Sequence, residues 1–396
     1  MVYRIDIEAA VVGGGLIGCL VARALAAQGL GVVLIERDPQ LGRRASTAAA
    51  GMLSPQMEAA EGLLAESSTR AEAMLAFCLA GRDWYPGLVE SLTRETGFEI
   101  EYRAHGTLVV ATDPTRAEAL ATAAATHAAR GLTAEFVDGD RARQLEPALA
   151  AGTEGGLLLP DDHQVDSVAL VGAAAGAVAA DPRVRLELNC RGVGVETAAG
   201  RVIGVQLERA DGAADYQTAS LVVIAGGAWS ENIAGLPRRL GVVPVKGQMV
   251  AVDGRAAGLT HTVGGPGAYC VPRSDGRVLI GATVEQAGFD ITVDEAAIAG
   301  LVAAAADYVP ALGRSDRLST WAGIRPGTSD ELPIVGPDPD VEGLVYATGH
   351  YRNGILLAPI TAQAVAALAR GSSPPVDLTP FSPARLGDPQ NPARGS

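Results

Sequence analysis

The stretch VVGGGLIGCL, Val11 to Leu20, places Gly13, Gly15 and Gly18 at G-x-G-x-x-G spacing. Glycines at these positions allow a tight turn, let backbone approach a pyrophosphate, and bring the following helix close to the preceding strand. The first N–H groups of that helix are then offered to the anion. Glu36 closes the next apolar run, about twenty residues on. Its carboxylate can accept hydrogen bonds from ribose hydroxyls and would repel a 2′-phosphate, which favours FAD or NAD over NADP. The next stretch, GRRASTAAAGMLSPQ from Gly42 to Gln56, is built of small residues. Such a run lets a planar ring system or a diphosphate lie against backbone, although a plain loop or helix start has the same composition. On spacing alone FAD and NAD stay open.

A second segment, GHYRNGILLAP from Gly349 to Pro359, sets one permanent charge, Arg352, at the mouth of an apolar run that reads as the start of a helix. Asn353 and Gly354 follow it and His350 stands just before. Other chemistries find little footing. The five histidines, at 105, 127, 163, 261 and 350, lack metal-ligand spacing, and there is no G-x-S-x-G elbow. The four cysteines, Cys19, Cys78, Cys190 and Cys270, form no C-x-x-C pair, so neither a metal site nor a disulfide framework is expected and a reducing cytoplasm fits.

These residues need particular elements to carry them. AAVV, then LIGCLVARALAAQ with apolar residues at helical spacing, then GVVLIE, reads as β-α-β. Two apolar runs, LVVIAGGAW (Leu221 to Trp229) and GLVYATGH, repeat the design of a buried strand ending in glycine. Between them VVPVKGQMVAV and AYCVPRSDGRVLIGATVE alternate, with a hairpin signal at Ser274-Asp275-Gly276, and read as an antiparallel sheet. Glu58 to Arg94 and Asp113 to Gly131 read as helical, GTLVVAT as a strand. The fold class expected is α/β, two-domain: a discontinuous Rossmann-like nucleotide-binding part (1–88, 147–240 and 321–370), a second part with a large antiparallel sheet (89–146 and 241–320), and a mobile or loosely docked Pro-rich tail (371–396).

At 396 residues with 48% hydrophobic content the chain can bury more than one ordinary core. Its net charge of −14 argues against nucleic acid or an anionic membrane as the main partner, so an anionic substrate needs a local basic site. No signal peptide is visible, and the most apolar helix candidate, Val168 to Ala180, is too short for a bilayer of roughly 30 Å.

Taken together, GGGLIG, ASTAAAGML, PVKGQM, YCVPRSDGRVLIGAT, WAGIRPGTSDELPIVG and GHYRNGILLAP resemble the FAD-dependent amine oxidoreductases of the D-amino-acid oxidase superfamily and, within it, the glycine oxidases of the thiamine pathway. The resemblance covers nearly the whole chain except the tail. It implies noncovalent FAD at the junction of two domains. By motif, Leu16, Ile17, Glu36, Arg37, Ala45, Ser46, Ala50, Gly51 and Met52 would line nucleotide and flavin, with Val193 on the adenosine side. His350, Tyr351, Arg352, Asn353, Gly354, Ile355 and Leu356 would wrap the flavin, and Tyr269, Arg325 and Arg352 would face substrate. A homo-oligomer, a tetramer, is implied in the same way.

The implied chemistry suits the residue types. A guanidinium donates two parallel hydrogen bonds to a carboxylate and fixes its orientation, which makes Arg325 the first candidate anchor and Tyr269 a supporting donor. With the carboxylate pinned, the substrate Cα–H can be aimed at flavin N5, so no side-chain base is obligatory. The expected reaction is oxidation of glycine, sarcosine, D-alanine or D-proline to an imine, then glyoxylate and ammonia from glycine, with O₂ reduced to H₂O₂. Asn353 and Gly354 are expected to bring helix N–H groups to the flavin pyrimidine edge. Arg352 is either a carboxylate partner or a gate, His350 either a flavin neighbour or a loop residue, and Lys246 is read as a solvated or turn-stabilising lysine. Covalent sarcosine oxidases would be expected to carry a cysteine near Trp321 and a lysine near Leu279, both absent here. Quinone-linked D-amino-acid dehydrogenases share W-x-G-x-R-P but not Arg352 in its motif. A flavin- or NAD-binding protein without turnover and an NAD-dependent dehydrogenase complete the alternatives.

Overall fold

A computed structural model describes residues 6–61 and 68–387. The start of the chain, part of the expected helical stretch 58–94 and the end of the expected tail lie outside the described residues. The glycine fingerprint sits in a six-stranded sheet of order Ile334–Pro337, Leu344–Thr348, Leu221–Ile224, Ala9–Val12, Val32–Ile35, Val184–Glu187. All pairs are parallel except the first. Ala9–Val12 is central and buried on both faces, which explains its unbroken apolar run. Ala9 and Val11 pack against helices Leu16–Ala26, Ser167–Ala180 and Ala358–Ala369. Ala10 and Val12 face a three-stranded meander of Cys190–Ala198, Arg201–Arg209 and Ala214–Thr218.

The second sheet has eight strands in the order Arg317–Gly327, Val243–Asp253, Arg277–Gly281, Ala268–Pro272, Thr262–Gly265, Thr107–Ala111, Gly155–Leu159, Glu135–Asp138. It is antiparallel apart from the pairing of Thr107–Ala111 with Thr262–Gly265. Helix Glu295–Tyr308 covers one face through Ile298, Leu301 and Ala305. The other face turns Met249, Ala251, Val271 and Leu279 toward Ala50. That contact joins the two sheets at the small-residue stretch.

Three expectations change. Gly155–Leu159 and all of Arg317–Gly327 belong to the eight-stranded sheet, although the expected boundaries put 147–240 and 321–370 on the nucleotide side. Gly155–Leu159 is a five-residue apolar run that pairs with Thr107–Ala111 and Glu135–Asp138, and Arg317–Gly327 is a mixed run whose partner, Val243–Asp253, lies some seventy residues earlier. The tail packs as far as residue 387: Phe381 is buried with its ring 4.7 Å from that of Phe77, and Arg385 pairs with Asp330 at 2.8 Å. Of the two roles expected for Lys246, the turn-stabilising one stands and the solvated one falls: the side chain is buried, its Nζ donating to Thr292 O at 2.5 Å and lying 3.4 Å from Asp290, so it braces the 285–294 loop.

Candidate active site

The C-terminal ends of the parallel strands open into one long cleft, and its far end reaches the eight-stranded sheet. At the first end, Gly13 adopts φ +113°, and a Cβ on Gly18 would lie 1.8 Å from Gly13 O. Gly18 therefore packs the helix onto the turn and does not line the cleft, whereas Gly13, Gly15, Leu16 and Ile17 do. Ser46 Oγ accepts from Leu16 N at 3.0 Å, tying the small-residue stretch to the helix start. Glu36 also lines the cleft, and backbone N–H groups fix both of its oxygens, Gly14 at 2.7 Å and Asp38 at 2.9 Å. Arg37, Ala45, Ala50, Gly51, Met52 and Val193 complete this wall.

The second Gly-terminated strand supplies residues that motif reading passed over. Gly226, Gly227 and Trp229 line the cleft, and the Arg37 guanidinium lies 3.7 Å from the Trp229 ring centroid. Burial, with Arg44 nearby, pulls the Arg37 pKa down. Ser230 and Thr348 join the two Gly-terminated strands through hydroxyls 2.7 Å apart. Arg273, from the hairpin signal, is buried; its Nη2 donates to Ala50 O at 2.5 Å and clamps the small-residue wall.

The segment after Thr348 differs from the expected helix start. A 3-10 turn spans Tyr351–Asn353, and the α-helix begins only at Ala358. Asn353 N is taken by His350 O at 2.9 Å, and neither Asn353 nor Leu356 lines the cleft; Leu356 joins the helical core. His350, Tyr351, Arg352, Gly354 and Ile355 do line it, with Tyr351 at φ +44°. The buried Tyr85 hydroxyl donates to Ile355 O at 2.5 Å and holds this turn. His350 is buried, its Nε2 3.0 Å from Thr361 Oγ1, and burial pushes its pKa down to about 3, so it is neutral. Its Nδ1 is buried with no partner.

At the far end Tyr269, Arg325 and Arg352 come together on the same cleft. Arg325 stands on strand Arg317–Gly327 opposite Val245, and its Nη1 donates to Thr283 O at 3.0 Å. It has no carboxylate partner among the described residues. Gly247 makes room for it, because a Cβ there would lie 2.3 Å from Arg325 Nη1. Burial raises the Tyr269 pKa, which keeps the hydroxyl a neutral donor. Arg352 Nη2 lies 3.3 Å from Glu58 Oε1. Glu58, also on the cleft wall, was missed because nothing in its local spacing distinguishes it from any helical glutamate.

A model described as FAD dependent oxidoreductase matches residues 8–368. The chain belongs to the FAD-dependent oxidoreductase family. Glycine oxidase of Pseudomonas putida is 36% identical over 382 residues, covering 96% of this chain and 99% of that one. The bifunctional protein ThiO/ThiG of Synechocystis is 35% identical over 96% of this chain and 54% of its own length. The crystal structure of glycine oxidase from Geobacillus kaustophilus superposes with a TM-score of 0.87 at 34% identity, covering 96% of this chain and 98% of that one. The cleft of this FAD-dependent oxidoreductase fits its cofactor. The Gly13–Gly18 contact leaves a turn no side chain could fill, and the unpartnered His350 Nδ1 is a buried polar atom on the same wall.

Proposed function

We propose that this chain oxidises glycine and other small amines, including sarcosine, D-alanine and D-proline, to the imine, which water converts to the carbonyl product and the free amine. The reading rests chiefly on Arg325, a guanidinium held by a backbone carbonyl and without a carboxylate partner among the described residues, beside Tyr269 on the cofactor cleft. FAD, when bound, takes up the hydride equivalent of the substrate Cα–H and hands the electrons to O₂, giving H₂O₂.

The protein's own residues bind and aim. Arg325 would receive the substrate carboxylate in a forked pair, and the neutral Tyr269 hydroxyl would donate to one of its oxygens. The Gly13–Leu16 turn, Glu36, Ser46, Gly51 and the His350–Ile355 turn would hold the cofactor. The six-stranded sheet is then the FAD-binding domain and the eight-stranded sheet the substrate domain. Among the described residues at this end of the cleft, no carboxylate or imidazole stands free to accept the amine proton at neutral pH: Glu58 is engaged by Arg352 and His350 does not titrate in range. The substrate must therefore arrive with its nitrogen unprotonated.

Glyoxylate chemistry for thiamine thiazole, a cytoplasmic setting suited to four free buried cysteines, and a homo-oligomer belong to the same proposal. The decisive experiment is anaerobic addition of glycine to purified holoenzyme. Bleaching of the flavin, with peroxide formed on admitting air, is expected. Absence of bleaching by glycine, sarcosine and D-amino acids alike would overturn the assignment.

A further inference from the structure

Two arginines border the substrate end of the cleft, and they are not electrically equivalent. Arg325 has no carboxylate partner among the described residues, whereas Arg352 is paired to Glu58 at 3.3 Å. The Glu58 side chain is largely buried, at 17% exposure against 44% for Arg352. Burial raises the Glu58 pKa, with Arg352 opposing, while the ion pair with Glu58 is the main reason the Arg352 pKa is raised. Glu331 approaches the same pair from the loop before strand Ile334–Pro337 and adds to the negative potential on it.

Glu58 is also held in place. It stands on helix Pro55–Glu61, whose first turn donates Gln56 N and Met57 N to the buried carboxylate of Asp162 at 3.1 and 2.8 Å. His127 Nε2 lies 3.1 Å from Gln56 O, and the Gln56 amide donates to Thr133 O at 2.8 Å. A carboxylate fixed by a braced turn cannot swing aside cheaply. Arg325, Arg352 and Glu58 line this part of the cleft and carry one net positive charge between them, which Glu331, beside the pair but outside the cleft lining, further offsets.

Resting on the amine-oxidase reading above, we infer that Glu58 is a specificity-determining residue: by pairing Arg352 it restricts the site to amines that carry one carboxylate. A substrate with two, such as an N-carboxymethyl glycine, would have to place its second carboxylate beside Glu58 or displace it from Arg352. Like charge at that distance is a repulsive element of the kind that sets specificity against a competitor. Without Glu58, Arg352 becomes a second free guanidinium at a site already occupied by one, and a dicarboxylate becomes the matched ligand.

The test uses FAD-loaded wild type, Glu58→Gln and Glu58→Asp. Acetate and malonate are titrated against the flavin absorbance, and kcat/KM is measured for glycine and for iminodiacetate. Glu58→Gln keeps the side-chain volume and is expected to raise the malonate-to-acetate affinity ratio and the iminodiacetate-to-glycine ratio of kcat/KM by about tenfold, equivalent to about 1.4 kcal/mol. Glu58→Asp, which keeps the charge, is expected to stay near the wild-type ratios. A change below threefold in Glu58→Gln, or an equal change in both variants, overturns the inference while leaving the proposed function standing. A wild type that responds to neither acetate nor glycine overturns both.

Discussion

Of Arg325 and Arg352, which line the same end of the cleft, Arg325 is the one without a carboxylate partner among the described residues, and Arg325→Ala removes it. Two charge-assisted hydrogen bonds to the substrate carboxylate would be lost, and each is worth roughly 1.5–3 kcal/mol, so the transition state should lose about 3–6 kcal/mol. That corresponds to a fall in kcat/KM of roughly 10²- to 10⁴-fold. The structural cost should be small by comparison. Within the protein the side chain's best hydrogen bond is from Nη1 to Thr283 O, a single backbone acceptor near the open cleft. Arg325→Lys separates charge from geometry: it keeps the cation and loses the fork, so it should fall between wild type and Arg325→Ala. Peroxide production against glycine concentration gives kcat/KM, and the flavin-to-protein absorbance ratio reports whether FAD is retained. The reasoning fails if Arg325→Ala keeps kcat/KM within threefold of wild type at full flavin content. It fails equally if the loss is accompanied by loss of FAD, because the residue would then be serving the cofactor.

Turnover of glycine should rise toward alkaline pH, since the reacting nitrogen must be neutral and the raised pKa of Tyr269 keeps that donor protonated over the range; a flat profile from pH 6 to 10, read as kcat/KM for peroxide formation, would contradict this. Burial lifts Asp162 from 3.8 to about 7, so its contribution to stability is complete below its unfolded pKa and is lost as pH rises through about 7; Asp162→Asn should flatten that part of the Tm-against-pH curve, and an unchanged curve would sink the assignment. Gly247→Val should displace the Arg325 guanidinium, because even a Cβ would lie 2.3 Å from its Nη1; KM for glycine is expected to rise at least tenfold with FAD content unchanged, and an unaltered KM would count against the placement.

What was legible in the sequence follows from where the information is local. The Gly13–Gly18 fingerprint and the two strands ending in glycine are short, self-contained patterns, and the six-stranded sheet places all of them at one edge of one cleft. The helix Pro114–Ala129 and the hairpin at 274–276 were equally local. The allotment of Gly155–Leu159 and Arg317–Gly327 to the larger sheet was not, because a strand's partners are decided by contacts with remote segments. For Lys246 the turn-stabilising half of the expectation holds and the solvated half does not, for a related reason. Residue type favours exposure, while strand alternation puts Gly247 on the cleft face and turns Lys246 to the opposite one, where Thr292 O and Asp290 receive it. Glu58 carries no local signal at all; its meaning comes from a residue nearly three hundred positions away.

The different anchoring of the two arginines decides which should bind and which should select. Arg325 rises from a strand paired along its length with Val243–Asp253, in a space that Gly247 keeps open, so its guanidinium is set by sheet geometry. Arg352 sits in a 3-10 turn after a residue at positive φ, is more exposed, and depends for its position on a carboxylate from another helix. A group that must fix Cα relative to the cofactor to within a fraction of an ångström belongs on the rigid element. One whose charge can be switched off by a neighbour suits discrimination, because its effect can change without moving the anchor. On the proposed function, the GHYRNGILLAP segment would serve the cofactor side through the neutral, buried His350 and the ligand side through Arg352, two residues apart on one turn. Changes at Glu58 should therefore alter which amines are accepted while leaving the proposed cofactor contact of His350 intact.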